Sequence, residues 1–348
     1  MTTRTLLIAL LACLAVANPP AGAAVTREPL PFTESWSDVN SISVDDDWSA
    51  VPGITGYRGD GLGNGPGADP RTIAADGAST PVDVIANRTN PAALLVGGVA
   101  EFELHDSVVA LQPTSTADAP HLVLRVDTTG LGSITVAYDL RDVDASIDNA
   151  AQPVALQYRV GGRGAYANVR GSFVADATSG PRLATLVTPV RAVLPPAAAD
   201  KPLVELRIIT ADARYSDEWV GIDDISINAV PVDRTPPSLS MSVAARQKLA
   251  RVLRYGIRAS VRADEPARVQ IELGLTARLA RRLALPVVVG RSVTSLPPRV
   301  TRTIATTLSR NARRKLARLR TFRLILRATA TDKAGNAARE ARTIVVSR

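Results

Sequence analysis

The side chains that most often perform catalysis or hold transition metals are scarce in this sequence. Two histidines and one cysteine occur among 348 residues. Thiol nucleophiles, Cys/His zinc sites and multi-histidine metal centres therefore have almost nothing to be built from. His105 and His121 lie in or beside strand-like sequence, without the G-x-S-x-G motif of a serine hydrolase, and neither a P-loop nor a dinucleotide fingerprint occurs. We therefore predict a protein that is not an enzyme.

Carboxylates are the reactive groups that remain, and they occur in short runs. Examples are Asp45-Asp46-Asp47, Asp217-Glu218 and Asp223-Asp224. A glycosidase needs two carboxylates across a cleft, at a separation that the sequence does not give. Solvated loops are the commoner setting for such residues, and calcium, which takes six to eight oxygen ligands, is a further alternative.

Aromatic residues that could stack on a sugar are few. The sequence has three Trp, six Tyr and four Phe. Trp48 and Tyr57 lie in loop-like sequence, and we predict them as ligand-binding residues, with core packing as the alternative for Trp48. Trp36 and Trp219 lie within apolar strand-like runs, which predicts that they are core residues. The glycine-rich stretch 53–70 is expected to be a long exposed loop, in which Arg58-Gly59-Asp60 supplies turn residues.

Charge divides the chain into two parts. Up to Val232 there are 15 Lys and Arg against 27 Asp and Glu, a net charge of −12, whereas residues 233–348 hold 26 against 6, a net charge of +20. Between the parts lies a proline-rich segment, which should be stiff and extended. We therefore predict a first domain at 24–230, a linker at 231–237 and a basic second domain at 238–348.

The densest basic cluster lies in residues 311–323. Arginine, which supplies 23 of the 26 positive charges after Val232, pairs well with phosphate and sulfate through its planar fork. The alternative is a solubilising surface without a ligand. The predicted polyanion-binding residues are Arg313, Arg314, Lys315, Arg318, Arg320 and Arg323.

The N-terminus has the pattern of a secretory signal peptide. Arg4 precedes a twelve-residue apolar run from Leu6 to Ala17, prolines follow it, and Ala21-Gly22-Ala23 fits a small-x-small cleavage site. The run is shorter than the roughly 20 residues that a membrane-spanning helix needs. We predict a signal peptide at 1–23, a secreted or wall-associated protein and no transmembrane anchor. Lipoprotein processing at Cys13 is the alternative, since Leu10-Leu11-Ala12-Cys13 resembles a lipobox.

The first domain is predicted to be β throughout. Runs such as 121–126, 133–138, 154–160 and 203–209 alternate apolar and polar residues, as half-buried strands do. Eight or more strands in about 200 residues predict two packed antiparallel sheets, most simply a jelly-roll-type β-sandwich.

Two segments of this domain resemble a family of secreted bacterial modules. The stretch 217–227 (DEWVGIDDISI) looks like the last strand of jelly-roll modules related to carbohydrate-binding and MAM-type domains, and 32–36 (FTESW) looks like their first strand. Other stretches resemble modules that accompany extracellular nucleases. The resemblance implies glycan binding and a structural calcium ion that joins the first strand to the last, with Glu34, Asp223 and Asp224 as ligands.

The second domain resembles bacterial Ig-like repeats. Its entry, Asp233-Arg234-Thr235-Pro236-Pro237, and the turn at 331–336 (TDKAGN) are similar to theirs. Seven strand candidates in about 116 residues match an Ig-type β-sandwich. Helices are predicted at 245–253, 276–285 and 309–319, the last capped by Ser309 and packed across an open end of the sandwich.

These features predict an all-β, secreted, non-catalytic binding or adhesion protein. Its sandwich domain is expected to bind a glycan or a cell-wall polymer. Its basic domain is expected to contact polyanions, extracellular DNA among them. The alternative is an accessory or truncated relative of a secreted bacterial nuclease or glycoside hydrolase.

Overall fold

The computed structural model describes residues 26–63, 65–143, 150–179 and 184–348. The predicted signal peptide, with Cys13 and Ala23, lies outside the described residues. The chain forms two compact units that meet in sequence at Val232 and Asp233. Among the described residues, no helix has both the length and the apolar character needed to cross a membrane.

The first domain consists of two β-sheets. The six-stranded sheet has the order β1-β7-β12-β9-β10, with β3 paired to β7, and the seven-stranded sheet has the order β11-β8-β13-β6-β5-β4, with β2 paired to β13. The strands are β1 (Glu28–Pro29), β2 (Phe32–Glu34), β3 (Ile54–Tyr57), β4 (Ile85–Arg88), β5 (Gly98–Phe102), β6 (Val108–Gln112), β7 (His121–Asp127), β8 (Leu131–Asp142), β9 (Val154–Val160), β10 (Ala167–Asn168), β11 (Val187–Val193), β12 (Val204–Thr210) and β13 (Val220–Pro231). Short 3-10 turns lie at Val39–Ser41, Pro70–Thr72, Gly77–Ser79, Pro91–Ala93 and Pro196–Ala198.

The alternation of apolar residues builds the core between these sheets. In β12, Val204, Leu206 and Ile208 are fully buried in the main cluster, which also holds β13 residues of the other sheet. Because side chains alternate across a strand, Glu205 and Arg207 point to the opposite face. The predicted core positions of Trp36 and Trp219 are confirmed, at 4% and 0% exposure.

The second domain is a smaller pair of sheets around its own core. The orders are β14-β16-β19 and β15-β21-β20-β17-β18. The strands are β14 (Leu239–Ser242), β15 (Arg246–Lys248), β16 (Ile257–Ala263), β17 (Ala267–Gly274), β18 (Val288–Leu296), β19 (Arg302–Thr306), β20 (Thr321–Thr331) and β21 (Ala337–Ser347), and the helices are α1 (Leu249–Tyr255), α2 (Ala277–Arg282) and α3 (Arg310–Leu316).

The predicted all-β class with short helical insertions is confirmed. The helices are shorter than predicted, and the start of the first one is a strand instead. Arg246–Lys248 pairs in parallel with the end of β21, so backbone hydrogen bonds to that strand replace helical ones there. A three-residue strand has too little periodicity to be distinguished from a helix by sequence.

Candidate polyanion-binding surface

The six acidic residues of the second domain are unevenly placed. Asp264 and Glu265 connect β16 to β17, and Asp332 follows β20, so these residues lie at the same end of the sandwich. Carboxylate oxygens of Asp233, Glu265 and Asp332 lie within 4.8 Å of one another. Burial, and then the neighbouring carboxylates, raises the pKa of Glu265. We call this the acidic end.

All three helices of the second domain lie at the opposite end. Helix α1 leads into the start of β16, α2 follows the end of β17, and α3 precedes the start of β20. Those strand termini are the ones farthest from the acidic end in the antiparallel register. We call this the helical end.

Capping side chains fix the second and third helices. Thr276 Oγ1 accepts a hydrogen bond from the Leu279 amide, and Ser309 Oγ accepts one from the Ala312 amide, each at 3.3 Å. Buried Ala312 and Leu316 anchor α3 on the core, as the predicted Ser309 cap and apolar spacing require. The arginines of these helices therefore face solvent.

The two acids outside the acidic end are already paired. Glu272 binds Arg291 at 2.7 Å, and Glu340 binds Arg342. The stretches 244–263 and 273–331 contain no Asp or Glu. Within the second domain, which is described throughout, the helical end is thus a positive surface without acidic residues of its own.

The predicted polyanion-binding residues lie on this end, with one difference. The guanidinium-bearing residues are exposed, namely Arg313, Arg314, Arg318, Arg320 and Arg323. Lys315 is half-buried, and its ammonium donates to the carbonyls of Leu283 and Ala284 at 2.7 and 3.1 Å. It satisfies carbonyls left unpaired at the end of α2, so it acts in the fold rather than as an exposed cation.

A second basic group at the helical end was missed by the sequence reasoning. Its side chains line a cavity of about 390 Å³ that is also lined by Tyr255. They lie within residues 246–258, a basic run that the sequence reasoning did not single out. The sequence does not show that a strand, a helix and a second strand bring them around one space. The four cations are Arg246, Lys248, Arg251 and Arg258.

In the first domain, the predicted sugar-binding residues Trp48 and Tyr57 are both only 7% exposed. The Trp48 indole donates to the Asp83 carbonyl at 3.2 Å and the ring packs against Trp36. The Tyr57 hydroxyl accepts a hydrogen bond from Arg125 at 2.9 Å, and its ring stacks on His121 at 5.4 Å. Both rings are core elements, which corrects the expectation of an exposed stacking platform.

Charged side chains on the outward face of the six-stranded sheet lie beneath two loops. Arg207 is 0% exposed and donates to the carbonyls of Ile73 and Ala75, while Arg159 pairs with Asp76 at 2.8 Å. Segment 161–173 completes the cover, since the Tyr166 hydroxyl donates to Glu205 at 3.2 Å. We call segments 65–80 and 161–173 the roof, and this sheet face is not an open groove.

The Arg58-Gly59-Asp60 triplet is part of the same packed region. Arg58 pairs with the buried Asp83 at 2.8 Å. Gly59 has φ 74°, and a Cβ there would lie 1.9 Å from the Ala119 carbonyl oxygen. The glycine is therefore required for close packing. The expectation of a long exposed loop at 53–70 is wrong at its start, because Ile54–Tyr57 forms the largely buried strand β3, paired with β7.

The residues predicted to bind calcium do not offer a suitable donor set. Strand β2 pairs with β13, which brings Glu34 opposite Ile225. However, Asp223 is paired with Arg141 at 2.6 Å and accepts the Asp224 amide, and Glu34 accepts the amides of Ser35 and Trp36. Both oxygens of Asp223 and one oxygen of Glu34 are thus engaged, which leaves the set short of the six to eight oxygens that calcium takes.

Two histidines and the carboxyl pair of Asp212 and Asp217 are the groups to consider for a catalytic base or a glycosidase pair. Burial, and then the charge of Arg207, lowers the pKa of His121 to about 3, and His105 is exposed on a turn. Burial, and then the neighbouring Asp212, raises the pKa of Asp217 to about 7, and the two carboxyl groups are hydrogen-bonded. Hydrogen-bonded carboxyls are closer than the roughly 5 Å or more that separates glycosidase carboxyls.

Comparisons with known proteins give distant similarities of fold only. No family model and no curated protein matches the chain. A cleaved adhesin domain of Lys-gingipain is 17% identical, with coverage of 57% of this chain and 98% of that one and a TM-score of 0.30. A non-crystalline cellulose-specific carbohydrate-binding module is 13% identical, with coverage of 41% and 95% and a TM-score of 0.26. The Endo-D glycoside hydrolase domain of Streptococcus pneumoniae R6 is 11% identical at a TM-score of 0.23, and this chain, 70% covered, spans 33% of its length. At these TM-scores, arguments about function rest on the residues of this chain.

Proposed function

We propose that this chain is a non-catalytic binding protein whose second domain binds polyanions through its helical end. The observation that carries the proposal is the separation of charge within that domain. Its acids are gathered at the acidic end or paired with arginine, and the helical end has cations alone. Long-range Coulomb attraction therefore orients the domain with its helical end towards an anionic polymer.

The chemistry of the exposed side chains fits sulfate, phosphate and carboxylate groups. Arg313, Arg314 and Arg318 present planar guanidinium groups, which pair with such anions through two parallel hydrogen bonds. Binding of this kind depends on backbone charge and not on base sequence. The partner is thus an anionic polymer. If the N-terminal export signal operates as predicted, that polymer would be a wall polymer or extracellular DNA.

The first domain is a separate compact unit with its own core. A glycan or another surface ligand remains our proposal for its partner, without a defined site. Its two predicted aromatic contacts are buried, and the outward face of its six-stranded sheet is under the roof. Such a ligand would have to bind outside those two places.

Titration of the protein with heparin and with duplex DNA, between about 50 mM and about 200 mM salt, tests the proposed function. We expect affinity to fall steeply with salt because bound polyanions release condensed counterions. Residues 26–232, which form a separate compact unit with their own core, serve as the control and should not bind. Absence of binding at low salt, or binding that ignores salt, would contradict the proposal.

A further inference from the structure

The cavity beside Tyr255 differs from the rest of the positive surface because it is concave. Its volume of about 390 Å³ falls in the range of about 300–1,000 Å³ that is usual for small-molecule sites. Arg246, Lys248, Arg251 and Arg258 line it, and no carboxylate does. A flat arginine-rich surface made only for solubility would not need such an enclosure.

Three elements hold these cations around one space. In β15, Arg246 and Lys248 are two residues apart, so their side chains share a face of the strand. Arg251 lies in the first turn of α1, which begins directly after β15, and Arg258 lies near the start of β16. The arrangement is therefore set by backbone hydrogen bonding and not by chance contact of long side chains.

A required glycine fixes the aromatic side of the cavity. Gly256 has φ 75°, and a Cβ there would lie 2.2 Å from the Thr306 carbonyl oxygen. Its amide donates to the Val252 carbonyl at 2.9 Å, which ends α1. The turn leaves Tyr255, the residue before it, at the edge of the cavity with 49% of its surface exposed.

The cavity is also electrostatically unsatisfied. Within the second domain, none of its four cations forms an ion pair with a carboxylate, since Glu272 and Glu340 bind other arginines. Like charges held around one space repel one another, and an anion placed between them removes that repulsion. A ligand that carries negative charge is thus the natural complement.

The single aromatic ring distinguishes between classes of anion. Tyr255 and Phe322 are the only aromatic residues after Val232, and Phe322 is 5% exposed. Proteins that bind single-stranded nucleic acid stack successive bases on several rings, which this domain lacks. The apolar face of one sugar ring needs only one aromatic platform, with its acidic substituents directed at the cations.

We propose that this cavity binds one acidic or sulfated sugar unit of an anionic polysaccharide, a proposal that rests on the proposed function of the helical end. Tyr255 would stack on the sugar ring through the face opposite Arg254, whose guanidinium lies 5.1 Å from the ring centroid. Arg246, Arg251 and Arg258 would bind its sulfate or carboxylate groups.

Calorimetric titration of the protein with a sulfated heparin disaccharide tests the cavity, with trigalacturonate as the carboxylate counterpart and cellobiose as the neutral control. We expect the two anionic sugars to bind and cellobiose not to bind. Tyr255→Ala should lower the affinity at least about tenfold, the loss of roughly 1.4 kcal/mol of ring contact, whereas Tyr255→Phe should stay within about threefold. Arg251→Gln should also weaken binding, since it removes one cation from the cavity.

Long heparin, measured on the same proteins, separates this proposal from the proposed function. Because long heparin contacts many arginines, Tyr255→Ala should bind it within about threefold of the wild type. Failure of the wild type to bind long heparin would overturn the proposed function. Long-heparin binding together with equal disaccharide affinity in wild type and Tyr255→Ala would overturn the cavity proposal alone. Tighter, Tyr255-dependent binding of a thymidine oligonucleotide would also overturn it, in favour of a nucleic-acid site.

Discussion

Replacement of Arg207 by methionine should weaken the packing of the roof against the six-stranded sheet of the first domain. The guanidinium donates to Gln157 Oε1 and the Ala75 carbonyl at 2.8 Å and to the Ile73 carbonyl at 2.5 Å. It also lies 4.0 Å from the centre of the Tyr166 ring. Arg207 is 0% exposed, and this burial lowers the pKa of its guanidinium to about 10.

The size of the effect follows from the acceptors left behind. Gln157 Oε1 is buried and loses both of its hydrogen bonds, and such an unpaired acceptor costs about 1–3 kcal/mol. The Ile73 carbonyl keeps the hydrogen bond from the Gln157 amide at 3.2 Å. Methionine fills most of the volume and ends the desolvation of a buried charge, which offsets part of that loss. We therefore expect a net loss of about 2 kcal/mol in the free energy of unfolding, or a Tm lower by about 4–8 °C for a domain of about 200 residues.

Thermal and urea denaturation of Arg207→Met measures this loss. Arg163→Met is the matched control, because Arg163 is an exposed arginine of the roof, and it should change stability by less than about 0.5 kcal/mol. Amide exchange at Tyr166, which donates to the Ala74 carbonyl at 2.9 Å, should also become faster in Arg207→Met. Equal stability of the two variants would refute the conclusion that the roof is held closed by buried charge.

Three further predictions concern the carboxyl pair, the calcium ligands and the third helix. Asp217 has a raised pKa, so the folded state binds more protons than the unfolded state between about pH 4 and 7, and stability falls as pH rises through that window. Asp217→Asn should therefore be more stable than the wild type by about 1–2 kcal/mol at pH 8, after allowance for the partial exposure of Asp217, and equally stable near pH 4. A difference in stability between the two proteins that does not change with pH would contradict this. The first domain should have the same Tm in millimolar calcium as in EDTA, because Arg141 neutralises Asp223. A Tm several degrees higher in calcium, and no such difference in Glu34→Gln, would contradict this and support the calcium site. Ser309→Ala should lower the stability of the second domain by about 1 kcal/mol through loss of the α3 cap, whereas Ser295→Ala, at an exposed strand position, should be near neutral in the same urea titration.

Strand positions could be predicted from sequence because they depend on local alternation. The run 204–210 alternates, and its apolar members are buried as that pattern requires. What alternation does not reveal is whether the polar face meets solvent. Glu205 and Arg207 are charged residues on that face, and only the roof, distant in sequence, buries them.

The density of basic residues in the sequence indicates a charged cluster, but it does not show how the residues of a site are arranged. The cluster at 311–323 is dense in the sequence, and its first part lies on helix α3 as expected, whereas Arg318 and Arg320 follow the helix and Arg323 lies in β20. The Tyr255 cavity joins residues of β15, α1 and β16, and the role of Lys315 depends on the end of α2. Trp48 lies in a loop, as the sequence predicts, but its burial depends on packing against Trp36 and on a hydrogen bond to the Asp83 carbonyl.

The central claim is that polyanion binding belongs to the helical end and not to positive charge in general. Two triple variants of the full chain lose the same charge at opposite ends: Arg313→Gln/Arg314→Gln/Arg318→Gln, and Arg268→Gln/Lys333→Gln/Arg339→Gln. All six residues are exposed. The measurement is the slope of log K against log salt concentration for the binding of duplex DNA.

The slope of the helical-end variant should be less steep than that of the wild type by about 2–3, since each lost phosphate contact reduces the steepness by about 0.9. The acidic-end variant should keep the wild-type slope to within about one contact. Equal losses of slope in both variants would show that binding follows net charge alone, and would contradict the account.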